Sequence, residues 1–174
     1  MAFLQRIHAH DRALYEELLL PVHGSRIVLH LTLALTHMGG ATAAVTFAVL
    51  PFLLGARWHG LGIHALLVLV VSHVAAQVVK RSVGRPRPSH GQVAARFIEA
   101  PDRFSFPSGH ATASLAIALA YATAMPQLAL PLLLTALAIG ASRVALGVHY
   151  PGDVAAGQCI ALATHLCLLH GAVR

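Results

Sequence analysis

Charge is scarce in this chain. Only 10% of its 174 residues are charged, 57% are hydrophobic, and mean hydropathy is +0.71. A globule of that composition has too little polar surface to face water. This excludes an ordinary soluble domain and points to a multi-pass membrane protein. Acidic residues are scarcer still: six Asp and Glu stand against twelve Lys and Arg, a formal net charge of +6. The basic residues do not alternate with aromatic ones as they would on a nucleic-acid surface. No nucleic-acid partner is expected; anionic lipid or phosphate is. The two cysteines, Cys159 and Cys167, fall in one expected helix. Eight residues of helix rise about 12 Å, beyond disulfide reach, so the pair says nothing about redox compartment. Residues 1–20 lack the basic start, apolar core and small-residue cleavage site of a signal peptide. Internal repeats, low-complexity tracts and linkers are also absent, so one domain over residues 1–174 is expected.

What is present is a series of helical apolar segments. In residues 3–20, Phe3, Leu4, Ile7, Leu14, Leu18 and Leu19 recur at helical spacing, with Arg6, Asp11, Arg12, Glu16 and Glu17 between them. That helix is too charged to span a bilayer. It either lies in the interface, as a segment over residues 1–25, or packs on the protein surface. Pro21 and Gly24 end it. Residues 27–54 form a long apolar run broken at Gly39-Gly40. The run reads as one tilted span, or as a short interfacial helix to His37 followed by a span from Ala41. Further spans are expected at 61–79, 108–125, 128–147 and 153–169, with a Pro-rich polar loop at 84–107 that holds a short helix near 91–98. The fold class is therefore all-α, a bundle of about five transmembrane helices plus the N-terminal helix.

Three polar clusters interrupt this background between Lys80 and Asp153, and all fall on one membrane face. The first runs from Lys80 through Gly84-Arg85-Pro86-Arg87-Pro88. The second is Pro107-Ser108-Gly109-His110. The third is Ser142-Arg143, followed by His149 and Asp153. Ser108 suits a helix N-cap, and Gly109 lets a phosphate approach the free N–H groups of a helix start. Arg143 is costly inside a membrane unless it is paired or lines a cavity. With Lys80 and Arg87 it supplies phosphate-binding charge, whereas Arg81 and Arg85 suit lipid headgroups or the phosphate pocket. Most of the thirteen histidines, including His30, His64, His165 and His170, read as packing residues. His149 differs, because Asp153 in the first turn of the next helix can reach its ring. A carboxylate on one ring nitrogen sets the tautomer and leaves the other nitrogen free to attack. His110 is then available to protonate a leaving oxygen. A metal site built from His110, His149 and Asp153 is the rival reading. The surrounding cations argue against it, so no metal and no cofactor are expected.

These clusters resemble the motifs of the type 2 phosphatidic acid phosphatase (PAP2, lipid phosphate phosphatase) family, which is related to vanadium haloperoxidases and glucose-6-phosphatase. The first motif corresponds to Lys80 and Arg87-Pro88, the second to residues 107–110, and the third to Ser142, Arg143, His149 and Asp153. The resemblance implies a haloperoxidase-like helical core and a metal-independent phosphatase acting on a phosphorylated lipid. It makes His149 the nucleophile that forms a phosphohistidine, Asp153 its orienting group and His110 the acid. Lys80, Arg87, Ser108, Gly109 and Arg143 would hold the phosphate oxygens. Undecaprenyl pyrophosphate is the leading substrate expectation. The alternatives are phosphatidylglycerophosphate or phosphatidic acid, or a lipid phosphotransferase using the same residues. The family implies a bacterial inner-membrane protein with the site on the extracytoplasmic side. The arginine count runs the other way. Arg6, Arg12, Arg26, Arg81, Arg85, Arg96 and Arg103 share the site face, and Arg57 and Arg174 lie opposite, which by the positive-inside rule puts the site in the cytoplasm. Oligomeric state is not indicated.

Overall fold

The computed structural model describes residues 2–18, 25–88 and 103–172. The expected short helix at 91–98, with Arg96, lies outside the described residues, as do Pro21, Gly24 and the two chain ends. Among the described residues seven α-helices follow in order: α1 (Ala2–Leu18), α2 (Arg26–Met38), α3 (Ala41–Leu53), α4 (His59–Val83), α5 (Gly109–Ala124), α6 (Ala129–Ala145) and α7 (Pro151–Ala172). Short 3-10 turns at Ala56–Trp58 and Pro126–Leu128 lead into α4 and α6.

Among the described residues three stretches are long and apolar enough to cross a bilayer: Ala56–Val83, Pro126–Ala145 and Pro151–Gly171. Helices α2 and α3, bent by 49°, are apolar enough only when taken together, as a broken span or a re-entrant pair. At 13 residues each, neither crosses alone, since each rises only about 20 Å. The bend falls at the Gly39-Gly40 break, where a Cβ on Gly39 would collide with Ile139. Helix α5, where a fifth span was expected, is 16 residues long, shorter than the three spanning stretches, and packs against α3, α4, α6 and α7. The protein is thus an integral membrane helical bundle.

The bundle is packed by small residues. Ala44, Ala48, Ala65, Ala76, Ala111 and Ala116 are buried at its centre, while Ile63, Leu67, Val70, Val74 and Val78 of α4 face outward. In lipid, the surroundings are as apolar as the interior, so helices associate through close fit. Gly157 is the clearest case: a Cβ there would stand 2.6 Å from Ser108 O and 2.7 Å from Thr112 Oγ1, so α5 and α7 touch at that point only because the residue is glycine.

Helix α1 shows the same inversion. Leu14 and Leu18, taken from the periodicity as its apolar side, are exposed at 38% and 52%, whereas Asp11 and Tyr15 are buried. The helix packs on the start of α7 and on α6 through its Asp11–Tyr15 edge, and Leu14 and Leu18 are left on the outer surface. Apolar periodicity marks the side that faces the most apolar neighbour, and beside a bilayer that neighbour is lipid.

Candidate active site

Two left-handed glycines aim the loops of the site. Gly84 (φ 62°) ends α4 and donates its N–H to Lys80 O at 3.1 Å, turning the chain so that Arg85 and Arg87 point back over the bundle. Gly147 (φ 71°) does the same after α6. The carbonyl of Arg143 then accepts the N–H groups of Val148 (3.1 Å) and His149 (3.2 Å), tying the His149 backbone to the end of α6. Pro151 opens α7, where its missing N–H costs nothing. Ser108 caps α5, its Oγ accepting from Ala111 N at 3.5 Å, and its own N–H donates to Asp153 O at 2.9 Å. The second and third clusters are joined at that bond. The first is joined to them by Ser105, whose N–H and Oγ–H donate to Arg85 O and Pro86 O, and by Lys80 Nζ, 3.4 Å from Phe104 O.

The eight expected site residues, Lys80, Arg87, Ser108, Gly109, His110, Arg143, His149 and Asp153, gather at this one end of the bundle. Lys80, Ser108, Arg143, His149 and Asp153 are all buried. Arg87 Nη1 donates to Val148 O at 2.9 Å and lies 3.3 Å from His149 Nε2. A guanidinium only donates, so His149 Nε2 faces it as an acceptor and Nδ1 carries the hydrogen. Nδ1 lies 3.5 Å from Asp153 Oδ2, which also accepts the Tyr150 N–H at 2.8 Å. Burial pushes the His149 imidazole down to about 4, with Arg143 and Arg87 adding to the effect and Asp153 opposing it. The ring is therefore neutral and nucleophilic across the ordinary pH range. His110 sits within electrostatic reach of Arg143, His149, Arg87 and His37. A Cβ on Gly109 would meet nothing within 4 Å, leaving room for a ligand at the α5 N-terminus.

Arg143 is 1% exposed. Its Nη1 donates to Thr36 Oγ1 of α2, and its Nε–H has no acceptor among the described residues. A buried guanidinium with an unused donor, beside Arg87, is arranged for an anion that bonds to both.

Sequence reasoning missed three residues. Thr36 carries no motif. Arg85 was divided between headgroups and phosphate, yet it is nearly buried and pairs with Asp153 Oδ1 at 2.8 Å and Asp11 Oδ2 at 2.7 Å. Asp11 was read only as part of a polar helix side. Scarcity was the available signal: with six acidic residues in the chain, a carboxylate in an amphipathic helix called for a partner. Among the described residues, no three His, Cys, Asp or Glu side chains converge as a metal site requires.

The model of the PAP2 superfamily matches residues 61–173. A decaprenylphosphoryl-5-phosphoribose phosphatase of Mycolicibacterium smegmatis is 46% identical over 102 residues, 58% of this chain and 52% of that protein. A lipid A 1-phosphatase of Rhizobium johnstonii is 37% identical over 102 residues, 56% of this chain and 42% of that one. The chain spans about half the length of the curated relatives it matches. Among solved structures, a transmembrane PAP2 type phosphatidylglycerolphosphate phosphatase from Bacillus subtilis aligns with a TM-score of 0.73 at 24% identity, covering 95% of this chain and 85% of that one. Aquifex aeolicus LpxE aligns with the same TM-score at 20% identity, covering 91% and 93%. These two share the fold. With the family model matching nearly two thirds of its length and all three motifs gathered at one end of the bundle, the chain belongs to the PAP2 superfamily.

Proposed function

We propose that this protein is a membrane phosphatase that removes a phosphate from a lipid through a phosphohistidine on His149, without a metal. The observation that supports this most is that Arg143 keeps an unused Nε–H in the same site as an imidazole whose unprotonated Nε2 faces the Arg87 guanidinium. In the first half-reaction His149 Nε2 forms a bond to phosphorus and the bond from phosphorus to the lipid oxygen breaks. His110 gives that oxygen its proton. In the second, His110 takes a proton from water, the water oxygen bonds to phosphorus, and the phosphorus–nitrogen bond breaks to release phosphate. Lys80, Arg87, Arg143, Ser108 and the Gly109 backbone hold the oxygens on which charge builds. Asp153 holds Nδ1–H and stabilises the cationic ring.

For the substrate, the names of the relatives favour a phosphomonoester on a large lipid, since one is named for a polyprenyl-linked phosphoribose and another for the 1-phosphate of lipid A. Undecaprenyl pyrophosphate, phosphatidylglycerophosphate and phosphatidic acid belong in the same comparison. The test is phosphate release by purified protein in detergent with EDTA present. The expected result is release undiminished by EDTA and fastest on a polyprenyl-linked phosphomonoester. No release from any of these lipids by well-folded protein overturns the reading.

We place the site on the extracytoplasmic face, as the family resemblance implies. Arg85 leaves the opposing arginine count, because it is held in a buried ion network. Ser82 is exposed at the site end of α4. In a Cys159→Ala, Cys167→Ala background, Ser82→Cys should react with an impermeant maleimide on intact cells; labelling only after lysis would reverse the orientation.

A further inference from the structure

Helix α1 carries no family motif, yet it reaches the centre of the site. Asp11 Oδ1 accepts the N–H of Gly152, in the first turn of α7, at 2.7 Å. The approach depends on glycine, since a Cβ on Gly152 would lie 2.9 Å from Asp11 Oδ2. That Oδ2 pairs with Arg85 Nη1 at 2.7 Å, and the same Nη1 pairs with Asp153 Oδ1 at 2.8 Å. The guanidinium lies over the Tyr150 ring, 4.0 Å from its centroid, and Tyr15, one turn after Asp11, meets Tyr150 edge-on at 5.3 Å. A chain of contacts thus runs from Asp11 through Arg85 and Asp153 to His149, its last link being the 3.5 Å approach of His149 Nδ1 to Asp153 Oδ2.

Charge gives this chain its meaning. Asp153 must hold an imidazole that becomes cationic when its Nε2 is phosphorylated. Arg85 alone would cancel the Asp153 charge and leave a neutral pair with little hold on a cation. The second carboxylate restores a net charge of about −1 to the cluster at a buried position, where it is screened least. We propose that Asp11 and Arg85 are positioning residues for the nucleophile: Arg85 fixes the Asp153 carboxylate, and Asp11 supplies the negative charge that Arg85 would otherwise remove. Docking of α1 is then a condition of full activity.

The proposal rests on the phosphohistidine reading for its meaning, so its test is read first without turnover. The His149 ring is titrated by NMR in 15N-histidine-labelled protein in micelles, with His149→Gln to assign its signals. Among the described residues the charged and titratable groups that act on that ring are Asp153 on α7, Arg143 on α6, Arg87 after α4 and His110 on α5, and none of them is altered. Asp11→Asn should lower the ring's pKa and Arg85→Gln should raise it, each by about one pH unit. Arg85→Lys should leave it near the wild-type value. Simple loosening would move Asp11→Asn and Arg85→Gln alike, upward toward the ordinary histidine value near 6.5. Opposite movements support the proposal. Movement in one direction, no movement, or an Arg85→Lys shift as large as that of Arg85→Gln overturns it. Arg85→Lys also decides the matter if Asp11→Asn fails to fold. In turnover, Asp11→Asn should lower kcat roughly 10- to 100-fold with KM unchanged. An inactive wild-type protein would count against the phosphatase reading and leave the titration result standing.

Discussion

Replacing His149 with alanine should abolish phosphate release, by at least about 10³-fold, because the nucleophile of a covalent mechanism has no substitute within reach. The direct measurement is trapping. Wild-type protein mixed with a 32P-labelled substrate and quenched in base should retain an acid-labile label, and His149→Ala should retain none. Label in the variant would move the nucleophile elsewhere; release without any trapped label in wild type would favour direct attack by water. The pH dependence follows from the same residue. The folded protein holds the imidazole near 4, below its ordinary value, so the neutral, attacking form persists above that pH and is lost only as pH falls through it. The acid limb of kcat/KM, which reports the free enzyme, should therefore lie near pH 4. A limb near 6.5 would mean that the ring is solvated before substrate arrives.

Arg143→Met should separate stability from activity. The guanidinium is buried, has one hydrogen bond to Thr36 and leaves Nε–H unmet among the described residues. Removing an incompletely paired buried charge in favour of an apolar side chain of similar length is commonly neutral or stabilising, so Tm should hold or rise. Activity should fall by roughly 10²- to 10³-fold, the usual cost of losing one donor to transition-state charge. Vanadate should raise the Tm of the wild-type protein and not that of the variant. A Tm loss of more than a few degrees would make Arg143 a structural residue first. Thr36→Val, by contrast, leaves the cation in place and removes its tether from α2.

The candidate site was legible in the sequence because it is locally encoded. Lys80 and Arg87 flank one helix end, residues 107–110 start another, and His149 and Asp153 are four positions apart across the start of a third. Each spacing places its side chains at a helix terminus whatever the rest of the chain does. The membrane class followed from bulk composition, and the Gly39-Gly40 break was visible because paired glycines interrupt an otherwise continuous apolar run.

What depended on the tertiary structure was pairing between distant segments. Asp11, Arg85 and Asp153 share one guanidinium nitrogen although 74 and 68 positions separate the arginine from its two partners. No periodicity in α1 could reveal this, because apolar spacing in a membrane protein reports the side that meets lipid. The same holds for Thr36 on Arg143 and for Gly157 against Ser108 and Thr112. By itself, the sequence determined the membrane class, the helix ends and the candidate site residues set on them. The fold decided which opposite charges meet and which small residues let helices touch, because in an apolar bundle those contacts arise from close fit between segments far apart in the chain.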